Sequence, residues 1–168
     1  MVSTGGSLLI RPYEPGDAAG LAAVFFAAVC RTGLCDYSAA QVEAWAPGVP
    51  DTAAVGARAG DGRLVLVAVN AANEPVAYGD LEATGHIDHL YCHPDFGRAG
   101  VASALYDCLE RKAREQGMTR LFVEASEAAR RLFPRKRFIE VRRRDFCLRG
   151  VAIHNYLMEK RLFPGETS

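Results

Sequence analysis

The stretch HIDHLYCHPDFGRAGVASALYDCLERKAREQG, His86–Gly117, predicts a strand, a glycine-bearing turn and a long helix. Its first residues form an apolar and aromatic run that is typical of a strand, and Pro94 marks the end of that strand. After Gly100, apolar residues recur at the spacings of one helix face until Gly117 stops the helix. Because backbone N–H groups at the start of a helix attract anions, the turn is a candidate anion-binding site.

The composition indicates one compact domain. Of the 168 residues, 49% are hydrophobic and 24% are charged, which suits a sizeable core and leaves no length for a second domain. The formal net charge is zero, so nothing favours nucleic acid or an anionic membrane as a partner. The five cysteines are scattered without CxxC spacing, which indicates reduced thiols and no metal site. Since neither a leader pattern nor a run of roughly eighteen apolar residues is found, we expect a soluble cytoplasmic protein.

The hydrophobic periodicity along the chain predicts a strand, two helices, three strands, a helix, a strand, a helix and two strands. Asp17 is placed to cap the first helix, Ser38 with Gln41 forms a capping box for the second, and Ser126 caps the last. Residues 48–62 give the weakest signal. This order is typical of an α/β fold with a mixed sheet and helices on both faces. The predicted boundaries are a disordered N-terminus (residues 1–7), one domain (residues 8–162) and a C-terminal tail (residues 163–168).

Two glycines, Gly97 and Gly100, lie in the turn, and their spacing fits neither of two familiar phosphate motifs. The sequence has no GxxxxGK[ST] segment and no GxGxxG segment, so neither a P-loop fold nor a dinucleotide-binding fold is indicated. From the pattern alone, two explanations remain open. Either the turn binds an anion, or it needs glycine only for a positive φ angle and for close helix packing.

Together with its flanking strand, the segment HPDFGRAGVASAL resembles the GNAT family of acyl-CoA-dependent N-acetyltransferases. The family signature is a Gln/Arg-x-x-Gly-x-Gly/Ala turn after an LYV-type strand. Arg98, Gly100 and Ala102 match this signature, whereas Gly97 stands where glutamine is usual. The tail HNYLMEKRL and the CDYS…AW loop are similar to a branch of small, uncharacterised bacterial members. The resemblance covers residues 8–162 and implies the GNAT fold, with a mixed and mostly antiparallel central sheet.

The resemblance also implies acetyl-CoA as the cofactor and suggests its contacts. The turn would hold the pyrophosphate mainly through backbone N–H groups, which Gly97 retains. The strand edge would bind pantetheine and the thioester carbonyl, and would stabilise the oxyanion that forms as the amine attacks. Phe133 stands where many members carry the tyrosine that protonates the thiolate, and phenylalanine has no proton to donate. The implied cofactor-binding residues are Leu90, Tyr91, Cys92, Arg98, Ala99, Gly100, Val101, Ala102, Ser103, Ser126 and Phe133.

Attack on a thioester requires a neutral amine and therefore a base. The resemblance implies that the base lies two and four residues before the thioester-contacting part of the strand, at Asp88 and His86. Strand alternation places both on one face and His89 on the other. A histidine titrates near pH ~6.5, so His86 can accept a proton at neutral pH, with Asp88 raising its basicity. The open alternative is that both are exposed polar residues of a half-buried strand. The second-choice bases, on the preceding strand, are Asp80 and Glu82.

The acceptor is expected to be an amine on a small molecule or a peptide. Its recognition would fall to polar and aromatic residues in the loop between the first two helices, in the strands before the turn and in the last strand. The open alternative is a core role, because aromatic residues are more often buried for packing. The candidate substrate-binding residues are Tyr37, Trp45, Tyr78, Asp80, Glu82, Asn155 and Tyr156.

The leading hypothesis is a GNAT acetyltransferase, a monomer or a homodimer, that passes the acetyl group of acetyl-CoA to a primary amine by direct attack in a ternary complex. A second hypothesis is a non-catalytic acyl-CoA-binding sensor, which Phe133 leaves open because it removes the usual acid. A third is nucleic-acid binding through the basic residues between Arg130 and Arg144. The zero net charge disfavours it.

Overall fold

The computed structural model describes residues 2–4, 8–163 and 165. Among these residues, the strands are β1 (Val2–Thr4), β2 (Leu8–Pro12), β3 (Leu64–Val69), β4 (Pro75–Leu81), β5 (His86–Ile87), β6 (Leu90–Cys92), β7 (Arg120–Ala125), β8 (Ile139–Leu148) and β9 (Val151–Arg161). The α-helices in the same residues are α1 (Ala18–Ala27), α2 (Ala39–Trp45), α3 (Thr52–Ala59), α4 (Val101–Glu115) and α5 (Glu127–Leu132).

The strands form two sheets. The first is antiparallel with the order β1-β2-β3-β4-β6, and the second has the order β5-β7-β9-β8, in which β5 and β7 are parallel. Helices cover both faces of the first sheet. Helix α1 buries Leu21 and Val24 against Val67 on one face, and α4 buries Leu105 and Leu109 against the other. The predicted mixed α/β fold is therefore confirmed, with two sheets in place of one.

The stretch predicted as a single strand, residues 86–92, is divided between the two sheets. Strand β5 pairs with β7, β6 pairs with β4, and the chain leaves the ladder at Asp88 and His89. The cause is the buried carboxylate of Asp80, whose Oδ1 accepts the N–H of Asp88 at 3.0 Å and that of His89 at 2.9 Å. These N–H groups bind a side chain instead of a neighbouring strand. The alternation predicted across residues 86–92 is wrong for this reason.

Helix α4 begins directly after Gly100, as predicted. The φ angle of Gly100 is +73°, which lies in the left-handed region where a side chain would be strained. Beyond it, Val101, Leu105 and Leu109 are buried in the main core. Gly117 follows the helix with a φ angle of +72°, as at many helix ends. The glycine turn is thus held between β6 and a helix that is anchored by its apolar face.

The first helical segment runs from Pro15 to Cys35 and is long and apolar enough, by length and composition alone, to cross a membrane. In this fold one face of the segment packs on the first sheet, where Leu21 and Val24 are buried. Asp17 precedes α1 as predicted, but its carboxylate does not cap the helix. It binds the Arg11 guanidinium instead, at 2.8 and 2.9 Å, because a buried positive charge needs a counter-ion.

The capping predictions for two later helices are confirmed. Ser38 Oγ accepts the N–H of Gln41 at 3.2 Å, and Gln41 Oε1 accepts the N–H of Ser38 at 2.9 Å, which is a complete capping box. Ser126 Oγ accepts the N–H of Ala129 at 3.3 Å at the start of α5. The region of weakest sequence signal contains α3, for which Asp51 is the N-cap.

The two ends of the chain are described in part. Residues Val2–Thr4, which we expected to be disordered, form the edge strand β1 and pair with β2 through the backbone. Residue 1 and residues 5–7 of the predicted N-terminal segment lie outside the described residues. The same holds for residues 164 and 166–168 of the predicted tail.

Candidate active site

Two cavities adjoin next to the break between β5 and β6. The turn cavity, of about 540 Å³, lies beside the Gly97–Ser103 turn. The aromatic cavity, of about 450 Å³, lies between α3 and the β8–β9 hairpin. Ligands in the two cavities would be neighbours, because one set of side chains lines both. This shared wall consists of Tyr37, Trp45, Tyr91 and Ser126.

The turn cavity has the properties of an anion site. Gly100, Ala102 and Ser103 line it at the start of α4, where backbone N–H groups have no partner within the helix. Because α4 has 15 residues, its dipole adds positive potential at this end. Arg98 is exposed at the turn and has no ion-pair partner among the described residues. A phosphate group here would therefore meet both N–H donors and a guanidinium.

Most of the residues predicted to bind the cofactor are brought to the turn cavity. Ala99 is exposed on the turn, and Val101 is buried in the core, so either would contribute through its backbone. Phe133 is 2% exposed and lies outside both cavities. It packs against Tyr106 and Phe138, with ring centroids 5.9 and 4.8 Å away. The predicted residues that line the turn cavity are Leu90, Tyr91, Cys92, Arg98, Gly100, Ala102, Ser103 and Ser126.

Strand β6 presents a free backbone edge to the turn cavity. It is the last strand of the first sheet, so among the described residues only one of its edges is paired. Burial raises the pKa of the Cys92 thiol to about 11 and also raises the pKa of the Tyr91 hydroxyl. Both groups therefore stay protonated at neutral pH. As a thiol, Cys92 is a poor nucleophile.

The aromatic cavity is lined mainly by apolar and aromatic side chains. Tyr91 is at the centre of a ring cluster, with the centroids of Phe25, Tyr78 and Trp45 at 5.0, 5.9 and 6.5 Å. Phe146 of β8 faces this cavity from the second sheet and is 38% exposed. Rings from both sheets thus border one space.

The charged side chains of the aromatic cavity are concentrated in one ion-pair network. Arg58 Nη2 lies 2.6 Å from Asp80 Oδ2 and 2.6 Å from Asp88 Oδ2. Arg63 Nη1 lies 3.1 Å from the same oxygen of Asp80, which is buried. Burial acts to raise the pKa of Asp88. The hydrogen bond from Arg58 and other nearby positive charge together outweigh burial, and the pKa of Asp88 is lowered. Asp88 is therefore a carboxylate at neutral pH.

His89 contributes a neutral ring to the same cavity. Burial, followed by the nearby charge of Arg58, lowers the pKa of His89 to about 4. Its Nδ1 lies 3.0 Å from the hydroxyl of Tyr78, whose own pKa is raised by burial. At neutral pH the two side chains form an uncharged hydrogen-bonded pair.

His86 lies beside the aromatic cavity and does not line it. Its ring stacks on Phe122 with the centroids 4.7 Å apart, and its Nδ1 lies 3.5 Å from Glu82 Oε1. Its Nε2 is buried and has no hydrogen-bond partner among the described residues. One polar atom each of His86, Asp88 and Glu124 lies within 4.8 Å of the other two. His86 is thus connected to the cavity through two carboxylates that do line it.

The same three residues are where a metal ion would find ligands. Two guanidinium groups already supply positive charge there, because Arg58 pairs with Asp88 and Arg144 pairs with Glu124. The arrangement therefore favours an ion-pair network over a bound cation.

Tyr37 of the shared wall is held in place by α5 and by β9 of the second sheet. The Tyr37 hydroxyl donates to the carbonyl of His154 at 3.2 Å and accepts the N–H of Glu127 at 3.0 Å. The Glu127 carboxylate accepts the Tyr156 hydroxyl at 2.7 Å and lies 2.8 Å from His154 Nε2. The bond from Tyr156 is the main cause that lowers the pKa of Glu127. Burial raises the pKa of Tyr37.

The predicted acceptor residues divide into two groups. Tyr37, Trp45, Tyr78, Asp80 and Asn155 line the aromatic cavity. Glu82 pairs instead with Arg63 and His86, and Tyr156 binds Glu127, so neither lines it. Sequence reasoning missed several lining residues. Glu124 on β7 and Phe146 on β8 could have been found from strand alternation. Arg58 and Arg63 lie in or beside residues 48–62, where the sequence signal is weakest. The missed residues discussed above are Arg58, Arg63, His89, Glu124, Phe146 and His154.

Known proteins match this chain both in sequence and in structure. A family model described as an acetyltransferase (GNAT) domain matches residues 34–160. YafP of Escherichia coli (strain K12), described as an uncharacterized N-acetyltransferase, is 32% identical over 152 residues, covering 90% of this chain and 95% of that protein. The crystal structure of a GCN5-related N-acetyltransferase from Rhodopseudomonas palustris matches with a TM-score of 0.85 at 36% identity, covering 94% of this chain and 97% of that one.

More distant solved structures share the fold alone. The Salmonella typhimurium protein yncA, solved with its cofactor acetyl-CoA, has a TM-score of 0.74 at 19% identity, over 97% of this chain and 98% of that one. The family model spans most of this chain, including β6, the turn and α4. Fold, turn and matched family agree with the resemblance found in the sequence, and this chain belongs to the GNAT family of acetyltransferases.

Proposed function

We propose that this GNAT protein transfers the acetyl group of acetyl-CoA to a primary amine by direct attack in a ternary complex. The observation that carries the proposal is the shared wall between the turn cavity and the aromatic cavity. A thioester in the first cavity and an amine in the second would be held next to each other. Such positioning supplies a large part of the rate of a two-substrate reaction.

The cofactor would bind with its pyrophosphate on the N–H groups of the Gly97–Ser103 turn and with Arg98 as the charged partner. Its pantetheine would follow the free edge of β6, whose backbone groups pair with amides as a neighbouring strand would. The same edge would donate a hydrogen bond to the thioester carbonyl and stabilise the oxyanion in the transition state. The solved yncA structure with acetyl-CoA supports this choice of cofactor.

The amine would lose its proton to Asp88 and His86, directly or through water. Asp88 lines the aromatic cavity as a carboxylate, and a ring nitrogen of the half-buried His86 lies within 4.8 Å of a carboxylate oxygen of Asp88. Direct attack is favoured over an acetyl-cysteine intermediate because the Cys92 thiol stays protonated at neutral pH. Water would protonate the leaving thiolate, since Phe133 has no proton to donate and lies outside both cavities.

The test is a steady-state assay of thiol release with acetyl-CoA and a panel of primary amines. Intersecting lines in double-reciprocal plots, with both substrates varied, are expected for a ternary complex. A Cys92→Ala variant that keeps kcat would agree with direct attack. Parallel lines, together with an acetylated Cys92 found by mass spectrometry, would contradict it.

A second candidate function is a non-catalytic acyl-CoA sensor, which the apolar environment of Phe133 keeps open. The double variant His86→Ala and Asp88→Ala separates the two. If the protein is an enzyme, the double variant loses turnover and keeps the affinity for acetyl-CoA that calorimetry measures. If it is a sensor, the unchanged protein already binds acetyl-CoA without any turnover.

As part of the proposal, the protein acts in the cytoplasm as a monomer or a homodimer, and light scattering would distinguish these two states.

A further inference from the structure

The aromatic cavity restricts the class of amine, and this step rests on the proposed function. We propose that the acceptor is a primary amine carried on a compact aromatic body of one or two rings, with no second charged group. Three features of the cavity support this class: its size, the rings in its walls and the way its charges are paired.

The size of the aromatic cavity suits a small molecule. Its volume is about 450 Å³. An apolar cavity of about 150 Å³ takes up one benzene ring, and small-molecule sites are commonly about 300–1,000 Å³. The space therefore holds one or two rings with a short amine arm. The side chains of a peptide segment would need a longer groove.

The walls offer ring faces to such a body. The Phe25 and Tyr91 rings meet edge to face at 5.0 Å and 81°, and Trp45 adds a third ring at 6.5 Å from Tyr91. Phe146 is 38% exposed and belongs to none of the buried core clusters of the described residues. A ligand ring seated here would cover this apolar surface and gain edge-to-face contacts.

The charges of the cavity leave a place for one amine and no place for a second ion. The guanidinium groups of Arg58 and Arg63 are already paired with carboxylates. The buried Oδ1 of Asn155 has no hydrogen-bond partner among the described residues and can accept an N–H of the amine. Glu124 lines the same space. A carboxylate on the ligand would meet only guanidinium groups that are already paired, and a second ammonium would have to displace Arg58 from Asp88 or Arg144 from Glu124. Either charge would be desolvated without a free counter-ion, at a high cost.

The test compares kcat/KM for matched amines, measured by thiol release from acetyl-CoA with the full chain. The panel is 2-phenylethylamine and tryptamine, then phenylalanine, which adds a carboxylate to the same ring, then putrescine, which has two ammonium groups, and an unblocked peptide. We expect kcat/KM for 2-phenylethylamine to exceed that for phenylalanine and for putrescine by about tenfold or more.

A pair of variants tests whether the cavity is the cause. Phe146→Ala is expected to raise the KM for 2-phenylethylamine several-fold and to leave the KM for acetyl-CoA unchanged. Phe163→Ala is the matched control, because Phe163 is also exposed, at 55%, but lines neither cavity. It should change neither constant. Equal effects of the two variants would overturn the assignment of the ring site.

The outcomes also separate this inference from the proposed function. If acetyl transfer occurs and the best substrate is putrescine, phenylalanine or the peptide, the proposal of an uncharged aromatic body is overturned. The acetyltransferase proposal is then still supported. Binding of acetyl-CoA in calorimetry, without transfer to any amine of the panel, overturns both.

Discussion

Asp80 Oδ1 accepts the backbone N–H of His89 at 2.9 Å, and this bond lies at the point where the chain passes from one sheet to the other. The other oxygen of Asp80 holds Arg58 and Arg63. One buried carboxylate thus fixes both the break between β5 and β6 and the charged side of the aromatic cavity. Because one oxygen of Asp80 binds backbone N–H groups and the other binds guanidinium groups, removal of the side chain affects both features.

Replacement of Asp80 by alanine is expected to destabilise the fold strongly. The change leaves two arginines and two backbone N–H groups without their buried partner, which costs about 3–5 kcal/mol in the free energy of unfolding. Urea titration followed by fluorescence measures this loss. Asp61→Ala is the matched control, because Asp61 also pairs with Arg63 but is exposed. Similar losses in the two variants would contradict the central role of Asp80.

The lowered pKa of His89 predicts a loss of stability on mild acidification. Its pKa is about 4 in the fold and ~6.5 in an unfolded chain, so the unfolded state binds the proton first as the pH falls. The stability contributed by neutral His89 is complete above pH ~6.5 and declines down to about pH 4. We expect a loss on the order of 2 kcal/mol between pH 7 and pH 4.5.

Urea titrations at several pH values check this slope. His89→Gln should flatten it, and His93→Gln, which changes a histidine outside the aromatic cavity, should not. The lowered pKa of Asp17 acts in a different window, because its contribution is lost only as the pH falls below ~3.9, the unfolded value. An unchanged slope in His89→Gln would show that the ring is not buried as a neutral group.

The two glycines of the turn are expected to differ in their tolerance of a side chain. The φ angle of Gly100 is +73°, so Gly100→Ala should cost about 1–2 kcal/mol of stability although no atom lies near the new Cβ. The φ angle of Gly97 is −63°, and its Cβ would meet only the Pro94 carbonyl at 3.4 Å. Gly97→Ala should therefore be nearly neutral. Thermal unfolding of the two variants tests this order, and a reversed order would contradict it.

Restoring the tyrosine that is common in the family should not restore an acid. Phe133 is 2% exposed and packs against Tyr106 and Phe138, so the hydroxyl of Phe133→Tyr would be buried among rings. We expect a loss of about 1–3 kcal/mol in stability for a hydroxyl without a partner, and no gain in kcat. Paired measurements of unfolding and thiol release check both parts. A higher kcat would show that the tyrosine reaches the thiolate.

Loss of the Arg98 side chain should weaken cofactor binding and leave chemistry intact. Arg98→Ala removes a guanidinium that has no other ion-pair partner among the described residues, so the KM for acetyl-CoA should rise about tenfold with kcat unchanged. Arg111→Ala, on the exposed part of α4 outside both cavities, is the control. Steady-state kinetics at two salt concentrations would measure the effect. A fall in kcat alone would contradict this role.

The parts of the fold that could be predicted depend on local signals. Gly100 starts α4, and Ser38 and Ser126 cap their helices, because each of these effects acts within a few residues of the chain. The break at Asp88 could not be predicted in this way. It depends on the carboxylate of Asp80 from another strand, and a strand pattern contains no information about such a partner.

The candidate site could also be predicted only in the part that depends on a local motif. The residues of the turn and of β6 lie in one continuous stretch, so a motif could identify them. The aromatic cavity is built from α3, β4 and β8, which come together only in the folded chain. Arg58 lies where the sequence signal is weakest, and the strand pattern around Phe146 does not show which cavity its ring faces. Long-range packing decides which of these side chains face the cavity.

The shared wall has a thermodynamic consequence. Since Trp45 and Tyr91 border both cavities, a ligand that orders these rings in one cavity changes the free energy of binding in the other. By linkage, the factor by which acetyl-CoA alters the affinity for the amine equals the factor by which the amine alters the affinity for acetyl-CoA. On the proposed function, the same reciprocity would join the two products, so that departure of coenzyme A and departure of the acetylated amine would be energetically coupled.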